Sequence, residues 1–183
     1  MRVITGTARG KRLQTLEGND VRPTTDNVKE AVFSIIQFSI EGRTFLDAFA
    51  GSGQMGIEAL SRGAKKAFFI DQKKQSAAII KNNLKTTGLS DFATVLNTDT
   101  LSFIASTNEK FDIVFFDPPY RTGLLQSALD KVTRIMNKGG MIICEHPVDE
   151  ELPEQIQDFV LKKNYKYGKI IITIYSHKEV EGI

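Results

Sequence analysis

The segment FDIVFFDPPY, residues 111–120, decides the fold of this chain. Its first six residues are almost all apolar and have the length of a buried β-strand. The acid, the two prolines and the tyrosine that follow would then lie at the carboxyl end of that strand, where α/β sheets bind their ligands. We therefore expect a functional site at residues 117–120, with a largely parallel sheet around it.

Apolar runs of strand length alternate with helical patterns on both sides of this segment. Strands are predicted at residues 44–50, 66–71, 93–97 and 141–145, and helices at residues 53–62, 73–84, 101–105 and 124–136. This alternation is typical of the α/β class, in which helices cover both faces of a mostly parallel sheet. Two further strand-like runs, 159–163 and 169–176, are separated by a short turn segment and predict an antiparallel hairpin at the end.

The first 43 residues depart from this alternation. Residues 2–13 are β-formers interrupted by glycines, which predicts a short hairpin or extended arm. This arm contains four basic residues and no acidic one, and the four are Arg2, Arg9, Lys11 and Arg12. Asp26 can cap a helix whose apolar residues continue to Ile36. We expect residues 1–43 to pack on a core domain formed by residues 44–183, without being an independent domain.

The composition limits the class of protein. With 183 residues, 41% hydrophobic and 25% charged, the chain matches one ordinary globular domain. No apolar run reaches the ~18 residues of a membrane span, and no signal-peptide pattern is visible, so we expect a cytoplasmic monomer. The single cysteine, Cys144, lies in an apolar run and predicts a buried thiol. His146 and His177 have no cysteine partners for a zinc site, and we expect no metal.

A glycine-rich segment, residues 46–56, occupies the first predicted strand-to-helix turn. Gly51, Gly53 and Gly56 match the G-x-G-x-x-G pattern, which alone would indicate a dinucleotide pyrophosphate at the helix start. Asp47 opposes that interpretation, because its carboxylate would repel a pyrophosphate but attract an ammonium group. The pattern therefore predicts that the loop binds a small molecule that contains an amino-acid moiety.

Two further acids end predicted strands. Asp71 stands about twenty residues beyond the glycines, where an acid binds ribose hydroxyls, and Asp99 could accept a hydrogen bond from an adenine amino group. A nucleoside combined with an ammonium group describes S-adenosyl-L-methionine. Each of these acids could instead simply cap the helix that follows it.

The D-P-P-Y segment suits a flat ring that carries an amino group. The carboxylate of Asp117 and the carbonyl of Pro118 could accept the two amine protons, so that the nitrogen lone pair points at a methyl donor. Tyr120 could stack on the base, and Pro119 is expected to contact the nucleic acid. On this hypothesis a phenylalanine would largely replace Tyr120.

Four segments together resemble the RsmD family, bacterial methyltransferases that modify N2 of a guanine in 16S ribosomal RNA. They are residues 2–13, the segment RPTTDNVKE at 22–30, the glycine loop at 47–56, and FDPPY at 116–120. The resemblance covers essentially the whole chain. The glycine loop and D-P-P-Y occur in many methyltransferases, whereas R-P-T-T-D is much more particular to this family.

The resemblance implies a Rossmann-like class I methyltransferase fold with seven strands, the last antiparallel. It implies that Asp47, Gly51 and Gly53 meet the methionine part of S-adenosyl-L-methionine and that Asp71 meets its ribose. The further cofactor contacts that we expect are Phe49, Asp99, Arg22 and Thr25. The basic arm would clamp phosphates of 16S rRNA, either as naked RNA or within an assembled or partly assembled small ribosomal subunit.

Three alternatives stay open at this point. The same chemistry would serve another amino group, such as adenine N6 or a protein amide. A nicotinamide-dependent oxidoreductase could use the same glycine pattern, although Asp47 disfavours it. A noncatalytic RNA-binding assembly factor would explain the basic arm but not D-P-P-Y.

Overall fold

A computed structural model describes residues 1–16 and 26–179, and these residues form one eight-stranded sheet in the order β3-β2-β1-β4-β5-β8-β7-β6. The strands are β1 Thr44–Asp47, β2 Lys66–Ile70, β3 Ala93–Leu96, β4 Phe111–Phe116, β5 Met136–Pro147, β6 Gln155–Ile156, β7 Phe159–Tyr167 and β8 Ile170–His177. Strands β1 to β5 pair in parallel, and β8 runs antiparallel between β5 and β7. The predicted class I methyltransferase architecture is confirmed.

Five α-helices cover the two faces of this sheet in the described part of the chain. They are α1 Asp26–Ile35, α2 Gln54–Ser61, α3 Lys74–Thr87, α4 Thr100–Ser106 and α5 Leu124–Val132. Helices α1, α2 and α3 pack with the arm on one face, called here the first face, and α4 and α5 pack on the second face. No helix in residues 1–16 and 26–179 has the length and apolar character to cross a membrane.

Side chains alternate between the two faces along the central strands. Phe45 and Ile113 belong to the core of the first face, whereas Leu46 and Val114 belong to that of the second. Both faces of the sheet are therefore buried, which explains why the strands read as nearly continuous apolar runs.

Most boundaries differ from the predictions by one to three residues; for example, β1 ends at Asp47 and not at 50. The differences described next are larger. The helix predicted at 124–136 ends at Val132, and β5 begins at Met136 and not at 141, because a register irregularity against β4 accommodates the polar and glycine residues 137–140. Strand β7 continues to Tyr167 because its lysines and tyrosines pair with the isoleucines of β8. The two-residue strand β6 adds an eighth strand, and it is too short to show any alternation in the sequence.

The N-terminal arm is held against α2 by its backbone. Arg2 and Arg12 form an antiparallel bridge, while the apolar side chains of the arm are buried in the core of the first face. Gly6 has φ +86°, and a Cβ at this position would lie 1.7 Å from the carbonyl oxygen of Ser61. Only glycine fits there, so the interruption in the β pattern marks the contact with α2. Whether residues 1–43 and 44–183 divide as predicted stays a prediction.

A buried carboxylate, Glu58 on α2, joins the arm to α1 and to the end of α2. Its side chain is fully buried and accepts hydrogen bonds from the backbone N–H groups of Ile4 at 2.8 Å and Thr5 at 3.0 Å. The Arg62 guanidinium donates to it at 2.8 Å, and Lys29 Nζ of α1 lies 3.6 Å from its second oxygen. Lys29 also donates to the carbonyl of Arg2 at 2.6 Å, and burial lowers its pKa.

We expect Glu58→Gln to destabilise the protein by about 3–5 kcal/mol, because it removes the buried anionic partner of Lys29, leaves only the exposed Asp26 beside it, and points amide protons at donors. Urea unfolding of the full chain measures this change. Glu30→Gln is the matched control, since Glu30 is exposed on α1 and its replacement should alter the free energy of unfolding by at most about 0.5 kcal/mol. Equal stability of the two variants would contradict a stabilising role for Glu58.

Candidate active site

A cleft of about 570 Å³ opens at the carboxyl ends of β1, β2 and β4, where the strand order changes direction. Helix α2, which follows β1, packs on the first face, while α5, which follows β4, packs on the second. The loops after these two strands therefore diverge and leave a space between them. The predicted site residues that line it are Asp47, Phe49, Gly51, Asp71, Asp99, Asp117, Pro118, Pro119 and Tyr120.

Some predicted residues lie elsewhere. Gly53 does not line the cleft, and its contact with a cofactor stays a prediction. Arg22 and Thr25 lie outside the described residues. The four basic residues of the arm are exposed and lie outside the cleft, and none of them forms an ion pair within residues 1–16 and 26–179.

Each of the three glycines of the loop is at its position for a different structural reason. Gly51 adopts φ +52° in the cleft wall, with open space where a Cβ would stand. At Gly53 a Cβ would meet the side chain of Ile80 at 3.0 Å, and at Gly56 it would lie 2.3 Å from the ring of Phe69. Gly56 thus allows α2 to pack closely on β2, Gly53 leaves room for Ile80 of α3, and only Gly51 is at the cleft.

Asp47 is buried at the base of the cleft. One of its oxygens accepts a hydrogen bond from the backbone N–H of Gly56 at 3.0 Å. Burial raises the pKa of Asp47 to about 7, against the opposing effect of the Gly56 hydrogen bond and with a further increase from Asp71. A cationic group placed beside this carboxyl would favour its ionised form.

Asp71 and Asp99 both bind backbone N–H groups. The two oxygens of Asp71 accept from Gly51 at 2.9 Å and from Lys73 at 2.8 Å, so this acid holds the glycine loop against the turn after β2. Asp99 caps α4 by accepting from Ser102 at 2.8 Å. A carboxylate oxygen has more than one acceptor position, so both acids can still receive a hydrogen bond from a ligand in the cleft.

The D-P-P-Y segment forms the wall opposite the glycine loop. Asp117 and Tyr120 are half-buried, Pro118 is buried and Pro119 is exposed. The hydroxyl of Tyr120 donates to Glu145 Oε1 at 3.0 Å, and Glu145 is a buried residue of β5. The hydroxyl therefore fixes the orientation of the ring, which the sequence did not suggest.

Sequence reasoning missed several residues of this site. Glu145 gave a signal, since it is a single acid within the apolar strand MIICEHP. Ser76 at the start of α3 is buried in the cleft wall, and within the described ranges its hydroxyl has no hydrogen-bond partner. Thr15 and Leu16 bring the end of the arm to the cleft, a contact that no local pattern could reveal.

The thiol and the histidines do not contribute to the cleft. Cys144 is buried, and burial raises the pKa of its thiol. His146 is 2.7 Å from the hydroxyl of Thr173, and burial lowers its pKa. In the part of the chain that the structure describes, no three His, Cys, Asp or Glu side chains are grouped as metal ligands.

Comparison with known proteins identifies the family. A family model described as "Conserved hypothetical protein 95" matches residues 1–176. A Bacillus subtilis protein named "Putative rRNA methyltransferase YlbH" is 38% identical, over 97% of this chain and 100% of its own length. The "Ribosomal RNA small subunit methyltransferase D" of Haemophilus influenzae is 41% identical, over 97% and 94%.

A solved structure agrees with these sequence relatives. The chain resembles the "Putative methyltransferase yhhF" from Escherichia coli with a TM-score of 0.87 and 32% identity, over 97% of each chain. The family match spans nearly the whole sequence and the structural match spans both faces of the sheet. The chain therefore belongs to the family described as conserved hypothetical protein 95, the RsmD family of methyltransferases that its sequence resembles.

Proposed function

We propose that this protein transfers a methyl group from S-adenosyl-L-methionine to the exocyclic N2 of a specific guanine in 16S ribosomal RNA. The observation that carries the proposal is that Asp117 and Tyr120 line the same cleft as Asp47 and Asp71. Residues suited to binding an amino-substituted base thus line the same cleft as residues suited to binding an amino acid joined to a nucleoside. The names of the relatives support ribosomal RNA of the small subunit as the substrate.

The cleft offers suitable partners for each part of the cofactor. Asp47 would hold the ammonium of the methionine part, and ionisation of this buried carboxyl would be favoured by that charge. Asp71 would accept from the ribose hydroxyls and Asp99 from the adenine amino group. The hydroxyl of Ser76, which has no partner among residues 1–16 and 26–179, would donate to the ligand. When bound, the cofactor supplies an electrophilic methyl group.

The protein's own task is to present the amine. An exocyclic guanine amine is a weak nucleophile, because its lone pair is delocalised into the ring. The carboxylate of Asp117 and the carbonyl of Pro118 would accept its two protons and direct the lone pair toward the methyl group. A charged hydrogen bond is worth about 1.5–3 kcal/mol, or roughly one to two powers of ten in rate, and positioning supplies the remainder. Asp117 would take the proton that the amine loses as the new N–C bond forms.

Tyr120 would hold the base in place. Stacking on an aromatic ring contributes about 1–3 kcal/mol per base, provided that the ring is already oriented. The hydrogen bond from its hydroxyl to Glu145 provides that orientation. The internal rRNA base would have to leave its stack to reach this ring, and the basic arm would hold the surrounding phosphates.

We expect Asp117→Ala to bind S-adenosyl-L-methionine within about twofold of the parent and to lose at least about 100-fold in methyl transfer, because it removes a charged acceptor and the positioning that depends on it. Incubation with labelled methyl donor and unmodified small subunits or 16S rRNA, followed by nucleoside mapping, measures the loss and identifies the product. Asp130→Ala, an exposed acid on α5, is the control and should keep full activity.

Four results would contradict the proposal. Undiminished transfer by Asp117→Ala would remove its catalytic role, and undiminished biological function without transfer would favour a noncatalytic assembly factor. Label on adenine N6 or on protein would assign the same chemistry to another amino group. Binding of NADH in place of S-adenosyl-L-methionine would favour the oxidoreductase.

We expect Asp47→Asn to stabilise the fold while weakening cofactor binding at least about tenfold. The carboxyl titrates near pH 7 in the folded protein and near 3.8 ordinarily, so the stability of the parent should fall as pH rises from about 4 to about 7. Three pH units at about 1.4 kcal/mol each give roughly 4 kcal/mol. Thermal unfolding at pH 4 and pH 8 should show the advantage of the variant only at pH 8. A difference that does not change with pH would contradict the buried, protonated carboxyl.

We expect the combined replacement of Arg9, Lys11 and Arg12 by alanine to raise the KM for RNA without changing cofactor affinity. These side chains are exposed and would neutralise phosphates, each contributing about 0.7–0.9 to the slope of log affinity against log salt. RNA binding measured between low and physiological salt should therefore show a shallower slope. An unchanged KM and slope would exclude the arm as a phosphate clamp.

A further inference from the structure

A β-bulge in β7 redirects the side chains of the strand's second half. Leu161 pairs with Tyr175 of β8, but Lys163 pairs with Ile174, so two steps along β7 match one step along β8. Lys162 is the extra residue. Leu161 consequently packs with the second face, whereas Tyr165 and Tyr167 pack with the first. Bulges often serve to reorient side chains in this way.

The redirected residues form a strip of one cation and two aromatic rings on the first face. We call Lys163, Tyr165 and Tyr167 the tyrosine–lysine strip. The ammonium of Lys163 lies 5.1 Å from the centre of the Tyr165 ring. Lys163 is exposed, and the two tyrosines are half-buried, so each ring has one part in the core and one part at the surface.

The outer edge of β7 is open along this strip. Strand β6 pairs only with Phe159 and Val160, and no described residue pairs with the outer edge of β7 between 163 and 167. The strand contains no acidic residue, and Lys166 and Lys169 add positive charge at its end. The strip thus presents an exposed lysine and two half-buried tyrosines on a positively charged surface.

Strand register relates the strip to the active site. Tyr165 pairs with Ile172 of β8, and Ile172 pairs with Glu145 of β5. Two strand spacings of about 4.8 Å place Tyr165 roughly 10 Å from Glu145 along this row. Glu145 accepts the hydrogen bond from Tyr120, and both Tyr120 and Tyr165 pack against the core of the first face.

We propose that the tyrosine–lysine strip binds the RNA nucleotides next to the target base. This inference rests on the proposed function, since it requires the target base at Tyr120. A nucleotide turned out toward Tyr120 no longer stacks on its neighbours, so each neighbouring base has a face that can stack on the protein. Tyr165 and Tyr167 offer ring surfaces, and Lys163 offers a cation for the connecting phosphate.

The strip has a competing explanation as protection of the sheet edge. Lysines on an open strand edge prevent pairing with other chains. That explanation accounts for the lysines but not for two tyrosine rings on the same face as Tyr120, one of them in the row of its partner Glu145. It also predicts a different result, namely self-association when Lys163 is removed.

The test uses the full chain with three variants, Lys163→Ala, Tyr165→Leu and Tyr165→Phe. We expect Lys163→Ala and Tyr165→Leu each to raise the KM for 16S rRNA or small subunits about five- to tenfold, in keeping with the loss of a stacking or phosphate contact. The kcat at saturating RNA and the Kd for S-adenosyl-L-methionine should not change. Tyr165→Phe keeps the ring and should behave like the parent. Lys131→Ala, an exposed lysine on α5 of the second face, is the matched control.

Each outcome decides a separate question. If the parent methylates the RNA and both Lys163→Ala and Tyr165→Leu keep its KM, the strip is not an RNA contact and the proposed function stands. If size-exclusion chromatography shows that Lys163→Ala self-associates with an unchanged KM of the monomer, the strip protects the edge and the inference is overturned. If the parent transfers no methyl group, the proposed function fails. Thermal unfolding shows whether Tyr165→Leu disturbs folding. If it does, the KM of Lys163→Ala alone decides whether the strip binds RNA, because Lys163 lies outside the core.

Discussion

The pairing of β1 with β4 is the constraint on which the rest of the structure depends. It places strands that are distant in the chain side by side, with β2 and β3 on one side and β5 on the other. The chain leaves β1 toward the first face and leaves β4 toward the second. A gap between these two exits is unavoidable, and the acids and glycines after the strands become its walls.

Buried charge then connects the arm to this gap. Glu58 accepts hydrogen bonds from the arm and from Arg62 of its own helix, and it pairs with Lys29 of α1. These contacts fix how the arm lies on α2. Removing one partner of a buried ion pair is costly, although the pair contributes little net stability compared with apolar residues of similar volume. We infer that the role of Glu58 is to fix the position of the arm. Here the position matters because the arm continues to Thr15 and Leu16 in the cleft wall. The interaction that anchors the arm therefore also shapes the site.

The sequence was sufficient for what depends on local pattern and insufficient for what depends on contacts between distant segments. The alternation of strands and helices, and an acid at the end of each of several strands, follow from spacing alone. These features predicted the architecture and the acids and the D-P-P-Y residues that line the cleft, but fewer than half of all its lining residues. The partners of Glu58 and the bond from Tyr120 to Glu145 join residues far apart in sequence. The bulge at Lys162 moves the side chains of the second half of β7 to the other face of the sheet. The residues around it are polar, so no hydrophobic alternation in the sequence indicates the change. The start of β5 was missed for the same reason.

The alternation within β5 sets a rule for how this family can vary in length. Glu145 faces Tyr120, whereas its neighbours Cys144 and His146 face the other side of the sheet. One inserted or deleted residue between Gly140 and Glu145 would present a thiol or an imidazole to the tyrosine in place of the carboxylate. Natural variation in this strand should therefore occur in steps of two, or with a compensating bulge. The loop before β6 is restricted in a different way, because its backbone accepts a hydrogen bond from the Tyr175 hydroxyl and Leu152 packs on the second face.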